Sequence, residues 1–366
     1  MSYLTEPPYR HGTIPKTGVV LINLGTPDAA TPTAVRSYLK EFLSDPRVVE
    51  IPRLVWWLIL NGIILNFRPK QSARKYARVW TADGSPLRVH TELQAKLLRE
   101  LLGKQLGSPL EVRWAMRYGK PSIADALADL KVANCTRILI LPLYPQYAAS
   151  TTGATYDAVA RYLMRVRNVP ALRLVRDFHD HPGYITALAA AVREYWATYG
   201  RPEKLVMSFH GLPQYTLERG DPYHCECHVT ARLLAVALEL KDDQWQLTFQ
   251  SRFGRTQWLQ PYTSVTLSQL AKQGMRRVDV VCPGFTSDCL ETLEEIGIEA
   301  KEEFLTAGGR ELHLIPCLNE RPDWIQALAE LTRSNLGDWV SKDWDAQAQT
   351  ARAQASAQRA RAKGGE

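Results

Sequence analysis

The chain has 366 residues, 45% of them apolar and 23% charged, with a formal net charge of +7. That is globular material long enough for two domains. The positive excess is scattered and partly in the tail, without the basic stripe and interleaved aromatics of a nucleic-acid binder, so no nucleic acid is expected as a partner. An anionic small ligand or anionic lipid headgroups remain as partners.

Six cysteines (Cys135, Cys225, Cys227, Cys282, Cys289, Cys317) lie without a disulfide-like framework, which fits a reduced cytoplasmic compartment. Met1 to Gly12 carries two prolines and no apolar core, unlike a signal peptide. No run reaches the roughly 18 apolar residues that span a bilayer. The nearest, Leu54 to Leu65, is broken at Asn61-Gly62.

Taken in order, Gly18 to Leu24 reads as a buried strand that turns at Gly25-Thr26-Pro27. Pro32 and Thr33 then open a helix to Leu43. The apolar segment Leu54 to Leu65 carries tandem tryptophans and is followed by Arg68, Lys70, Arg74, Lys75 and Arg78. Two readings stand: a surface lying on a membrane or a flat hydrophobic ligand, or a core helix with a solvated basic face. Asp83 to Leu87 is a turn before a helix at Thr91 to Leu102. Strands follow at Glu111 to Met116, Arg137 to Leu143 and Leu172 to Arg176. Ser150-Thr151-Thr152-Gly153 caps the intervening helix.

The rhythm then repeats. Strands are predicted at Lys204 to Phe209, Gln246 to Gln250, Arg277 to Cys282 and Glu311 to Ile315, separated by helical patterns such as Tyr184 to Trp196 and Thr230 to Leu240. Four strands and four more, alternating with helices, predict an α/β fold. It comprises two similar doubly wound, Rossmann-like domains, each with a four-stranded parallel sheet and with the site in the cleft between them. Their expected extents are 17–172 and 173–335, with a hinge near 171–183. Residues 341–366, rich in Ala, Gln and Arg, are expected as a disordered tail.

The most informative stretch is Ser208-Phe209-His210-Gly211-Leu212-Pro213. Gly and Pro force a turn there, so His210 falls at a strand's carboxyl end, the rim where open α/β sheets bind ligands. A second rim, Cys282-Pro283-Gly284-Phe285, leads into a helix carrying Asp288 and Glu291. An imidazole and a carboxylate across one cleft can hold a soft divalent metal or move protons. Asp288, Glu291, Glu295, Glu299 and Glu302 recur three and four apart, as on one helical face. That face is either a solvated acidic stripe or a ladder for cations or protons.

Other chemistries are missing. There is no G-x-G-x-x-G after the first strand, no phosphate-binding P-loop and no G-x-S-x-G elbow. The donors in His224-Cys225-Glu226-Cys227-His228 are too close together to wrap one ion tetrahedrally, and the segment reads as a helix start. His179 and His181 bracket a probable turn.

These motifs, from about residue 18 to about 320, closely resemble the ferrochelatase family, and its proteobacterial branch most. The resemblance rests on Leu24-Gly25-Thr26-Pro27, Tyr144-Pro145-Gln146-Tyr147 and Ser208 to Pro213. It extends through Gly220-Asp221-Pro222-Tyr223, Phe249 to Gly254 and Cys282 to Leu293. It implies insertion of Fe2+ into protoporphyrin IX to give haem with release of two protons, the last step of haem biosynthesis. It implies His210 and Glu291 as the catalytic, metal-contacting pair, with Phe285 at the porphyrin and Asp288 and Glu295 extending the site as a proton or metal path. Arg68, Tyr76, Ser85, Arg117 and Tyr118 match positions around the porphyrin and its propionates, and Leu54 to Leu65 matches the family's porphyrin and membrane lip. Cluster-bearing relatives place a cysteine where Ala149 stands and more in a C-terminal extension. This tail has none, so no iron–sulfur cluster and no permanently bound cofactor are expected, with Fe2+ only as substrate. A cytoplasmic protein with peripheral membrane contact follows. Two alternatives stay open: a chelatase for another tetrapyrrole such as coproporphyrin, or a non-catalytic haem or porphyrin carrier.

Overall fold

The computed structural model describes residues 3–254, 256–341 and 344–364. One sheet contains β1 (Lys16–Gly25), β2 (Leu110–Tyr118), β3 (Cys135–Pro142) and β4 (Ala171–Leu174), all parallel, in the order β2-β1-β3-β4. The other contains β5 (Lys204–His210), β6 (Trp245–Gln250), β7 (Arg277–Val281) and β8 (Glu311–Leu314), parallel, in the order β6-β5-β7-β8. The second sheet therefore repeats the topology of the first. Each predicted strand is present with its ends within two residues, and the central β1, β3, β5 and β7, covered on both faces, read as near-continuous apolar runs.

Two glycines fix how the first strand of each sheet ends. Gly25 has φ +118°, and a Cβ there would stand 1.8 Å from the Tyr118 carbonyl oxygen. A Cβ on Gly211 would stand 2.6 Å from the carbonyl oxygen of Gln250. In both halves the neighbouring strand's backbone occupies the space a side chain would need.

Around the first sheet lie α1 (Pro32–Leu43), α2 (Arg53–Ile59), α3 (Leu65–Val79) and α4 (Pro86–Gln105), with a π-helical turn, Leu60–Ile64, between α2 and α3. The helix expected from Thr91 begins at Pro86, whose fixed φ suits the first helical position. One core joins the two halves: Leu21 and Leu141 of the first sheet, Leu98 of α4, Met207 of β5, and Trp324 and Leu328 of the Pro322–Leu336 helix. That helix packs against both α4 and the Pro182–Tyr199 helix.

The tail corrects an expectation. Where disorder was predicted, Ala346–Arg361 is helical, capped by the Asp345 carboxylate accepting from the Ala348 N–H at 2.8 Å. Alanine, glutamine and arginine are strong helix formers and suffice for this without a core. None of its side chains is buried. It runs along the N-terminal segment, where a Cβ on Gly12 would come within 2.8 Å of the Ala353 carbonyl oxygen.

Candidate functional site

His210 is the last residue of β5, in register with Gln250 of β6. Its Nδ1 lies 2.7 Å from the Gly211 carbonyl oxygen. A carbonyl can only accept, so Nδ1 carries a proton, and in the neutral ring Nε2 keeps its lone pair. The imidazole ring stands 6.5 Å from the ring of Phe285, centroid to centroid.

Gln250 links this strand end to the acidic segment. Its Oε1 accepts from the Ser208 hydroxyl at 2.7 Å, while its Nε2 donates to the Glu291 carbonyl oxygen at 2.7 Å and to Glu295 at 3.3 Å. Glu295 also accepts from the Ser251 N–H at 2.6 Å and from the Ser251 hydroxyl. Burial raises the Glu295 pKa, Ser251 and the His210 charge pull it back, and the Glu291 charge raises it further. His210, Glu295 and Glu291 thus form one electrostatic group. The Glu291 carboxylate in turn acts on the phenols of Tyr38 and Tyr76 and on the Cys289 thiol, each pushed up mainly by burial.

The carboxylates expected on one helical face are divided instead. Glu291–Ala300 is a π-helix. Its i to i+5 bonding takes more residues per turn than the about 3.6 of an α-helix, so a spacing of three and four no longer superposes side chains. Asp288, ahead of it and buried, accepts from Asn319 Nδ2 at 2.7 Å, from the Thr292 hydroxyl at 3.0 Å and from the Cys317 N–H at 3.3 Å. Glu295 turns to Ser251. Glu299 pairs with Lys75 at 2.5 Å and Glu302 with Arg78 at 3.4 Å, both cations on α3.

Residues expected around the ring separate similarly. Tyr76 is buried on α3, edge-on to Trp80. Ser85 is buried and accepts from the Thr26 hydroxyl at 2.8 Å. Arg117, expected as a free propionate clamp, is only 8% exposed and already neutralised. It pairs with Asp45 and donates Nε–H to the Ala154 carbonyl at 2.8 Å. Tyr118 donates its hydroxyl to the same Asp45 at 3.0 Å. An ionised guanidinium inside a core needs a counter-charge, and the sequence does not reveal that Asp45, 72 residues away, supplies it. Arg68 differs. It lies 4.3 Å over the Phe253 ring, burial lowers its pKa, and it forms no ion pair among the described residues.

The apolar segment presents a surface on one side, while its Leu60 and Leu65 are buried in the cluster with α1. Leu54 is 77% exposed, Trp57 60% and Phe67 75%, and α2 buries no residue. No helix among the described residues is long and apolar enough to cross a membrane.

The His224 to His228 stretch opens the Tyr223–Ala237 helix, as expected. Its Glu226 turns instead to Asp177 and His179, and the three ligating atoms lie within 4.8 Å of one another. Arg176 binds both carboxylates there. The residues that sequence reasoning missed (Ser251, Gln250, Glu294 and Asp45) are ordinary polar residues whose partners come from elsewhere in the chain. Only the Phe249 to Gly254 motif pointed at two of them.

A family model described as Ferrochelatase matches residues 16–336. The ferrochelatase of Aromatoleum aromaticum is 61% identical over 364 residues, covering 100% of this chain and 99% of its own. That of Chromobacterium violaceum is 61% identical over 338 residues, covering 92% of this chain and 93% of its own. In fold, the chain is similar to SirB from Bacillus subtilis with Fe3+, at TM-score 0.52 and 14% identity, covering 90% of this chain and 100% of that one. Identity sustained from end to end on both sides, over a twofold-repeated sheet with an imidazole at one strand end, places the chain in the ferrochelatase family.

Proposed function

We propose that this enzyme inserts Fe2+ into protoporphyrin IX, releasing two protons and forming haem, with His210 as the base. The observation that carries the reading is the hydrogen bond from His210 Nδ1–H to the Gly211 carbonyl, which leaves Nε2 free to accept. A free-base porphyrin holds two pyrrole protons where the metal must go. Buckling the ring turns the nitrogen lone pairs outward, at a strain of about 1–5 kcal/mol drawn from binding the rest of the macrocycle. His210 Nε2 takes the pyrrole protons in turn. Glu295, its pKa raised by burial and next in line by charge, receives them and passes them on. Glu291 and His210 together offer oxygen and nitrogen donors suited to the incoming Fe2+.

The macrocycle lies between the halves 17–172 and 173–335, with Phe285 beside His210 and Tyr76 near Glu291. Arg68, a cation lacking a carboxylate partner among the described residues, takes a propionate. Asp288 belongs to the frame that holds the Glu291 segment, and Ser85, Arg117 and Tyr118 to the frame of the first half. The exposed apolar residues of α2 and α3 rest against the cytoplasmic membrane surface, from which an apolar porphyrin can enter. Fe2+ is substrate only, no cofactor is retained, and the protein is cytoplasmic and peripheral.

Anaerobic assay of iron insertion tests this. His210→Ala should lower kcat by about 10²–10⁴-fold with porphyrin binding kept. Undiminished turnover would remove His210 as the base. Comparing rates on protoporphyrin and coproporphyrin decides the natural ring, and tight porphyrin binding without any insertion by the wild type would mark a carrier.

A further inference from the structure

Next to Glu295 on the π-helix, Glu294 meets α3 of the other half. Its side chain is 1% exposed, yet it is a carboxylate. Arg78 Nη1 lies 3.1 Å from one oxygen and Lys75 Nζ 3.4 Å from the other. The same two cations reach on to Glu299 and Glu302. Those acids are 39% and 69% exposed, so their pairs are screened by water. Glu294 is the one carboxylate of the three kept from solvent, and the one both cations share.

We infer that Glu294 is a positioning residue that latches α3 to the π-helix and so sets the spacing between the ring-gripping wall and the acid-bearing wall of the site. This inference rests on the proposed porphyrin metalation. Tyr76 neighbours Lys75 in sequence and feels the Glu291 charge, while Arg68 sits two turns earlier on the same helix. Glu291 and Glu295 begin the π-helix that carries Glu294. A rigid link between these two elements therefore holds the porphyrin contacts of one half at a constant offset from the proton and metal groups of the other. α3 also has an apolar anchor of its own. Leu65, Ala73 and Tyr76 are buried with Val35, Tyr38 and Leu39 of α1 in a separate apolar cluster. Burial and the neighbouring Glu299 charge raise the Glu294 pKa, while Lys75 and Arg78 hold it down.

The experiment compares wild type, Glu294→Gln, Arg78→Gln and the double variant. It reads KM for protoporphyrin and kcat for iron insertion, protoporphyrin Kd by fluorescence quenching, and Tm. The glutamine keeps shape and removes charge. The expected result is a rise in KM and Kd of about tenfold in each single variant, no further rise in the double, and kcat within about twofold of wild type. Unchanged Kd in Glu294→Gln would overturn the latch, and so would single effects that multiply in the double variant. A role confined to stability would lower Tm and leave Kd and KM where they were, which also overturns it. If the wild type inserts no iron, the proposed function fails, while the Kd comparison still decides the latch.

Discussion

At the scale of single residues, chemistry is set by what each polar group has already committed. His210 gives one nitrogen to a backbone carbonyl and is left with a single acceptor. Arg117 is bound to Asp45, whereas Arg68 carries no such partner among the described residues. Glu295 has a pKa raised by burial, against Ser251 donors that lower it. A carboxyl whose folded pKa lies above its unfolded value adds stability below the unfolded value and loses that contribution as pH rises through the folded one. Measured by urea unfolding across about pH 4 to 8, wild type should therefore lose stability relative to Glu295→Gln as pH is raised. A difference that stays flat, or grows in favour of wild type, would mean that the carboxyl is not held above its ordinary range.

At the scale of elements, irregular winding does much of the positioning. π-Helical segments occur at Leu60–Ile64 in the lip, at Ala149–Gly153 after β3 and at Glu291–Ala300. Each inserts extra backbone where a helix would otherwise repeat regularly, and re-aims the side chains that follow. In the last of them this sends Glu295 towards Ser251 and Glu294 towards α3. The flanking helices α2 and α3 are the opposite case: regular winding that leaves Leu54, Trp57 and Phe67 largely exposed. Replacing these three together by serine should change stability by no more than about 0.5 kcal/mol per site, because most of each side chain is already in water. It should also lower the fraction that co-sediments with anionic phospholipid vesicles. A large fall in Tm would show that these side chains are packed after all, and full vesicle binding would separate the lip from the membrane.

At the scale of the whole molecule, two repeated sheets are joined through a common core. Trp324 is fully buried in that core, its ring stacked 5.9 Å from Phe178 and edge-on to Tyr184 at 6.0 Å. Its helix, the last before the tail, lies across α4 of the first half. Trp324→Ala should cost about 3–5 kcal/mol. Monitored by both far-ultraviolet circular dichroism and tryptophan fluorescence in urea, the two halves should still unfold in one transition. Two separated transitions would show that the shared core does not couple them.

What the sequence by itself determined is whatever depends on near neighbours along the chain. The central strands follow from near-continuous apolar runs and the edge strands from shorter mixed ones, the strand-end turns from Gly25 and Gly211, and the place of His210 from the run that precedes it. The tail shows that limit from the other side, since a helix there needs only local propensity and a cap. Partners far apart in sequence were decided only by tertiary structure. Asp45 neutralises Arg117, Lys75 and Arg78 gather on Glu294, and Gln250 and Ser251 hold Glu295. The reason is physical: a buried charge is tolerable only beside its counter-charge or donor, and which residue supplies that depends on how two sheets and a π-helix come together, which no local pattern records.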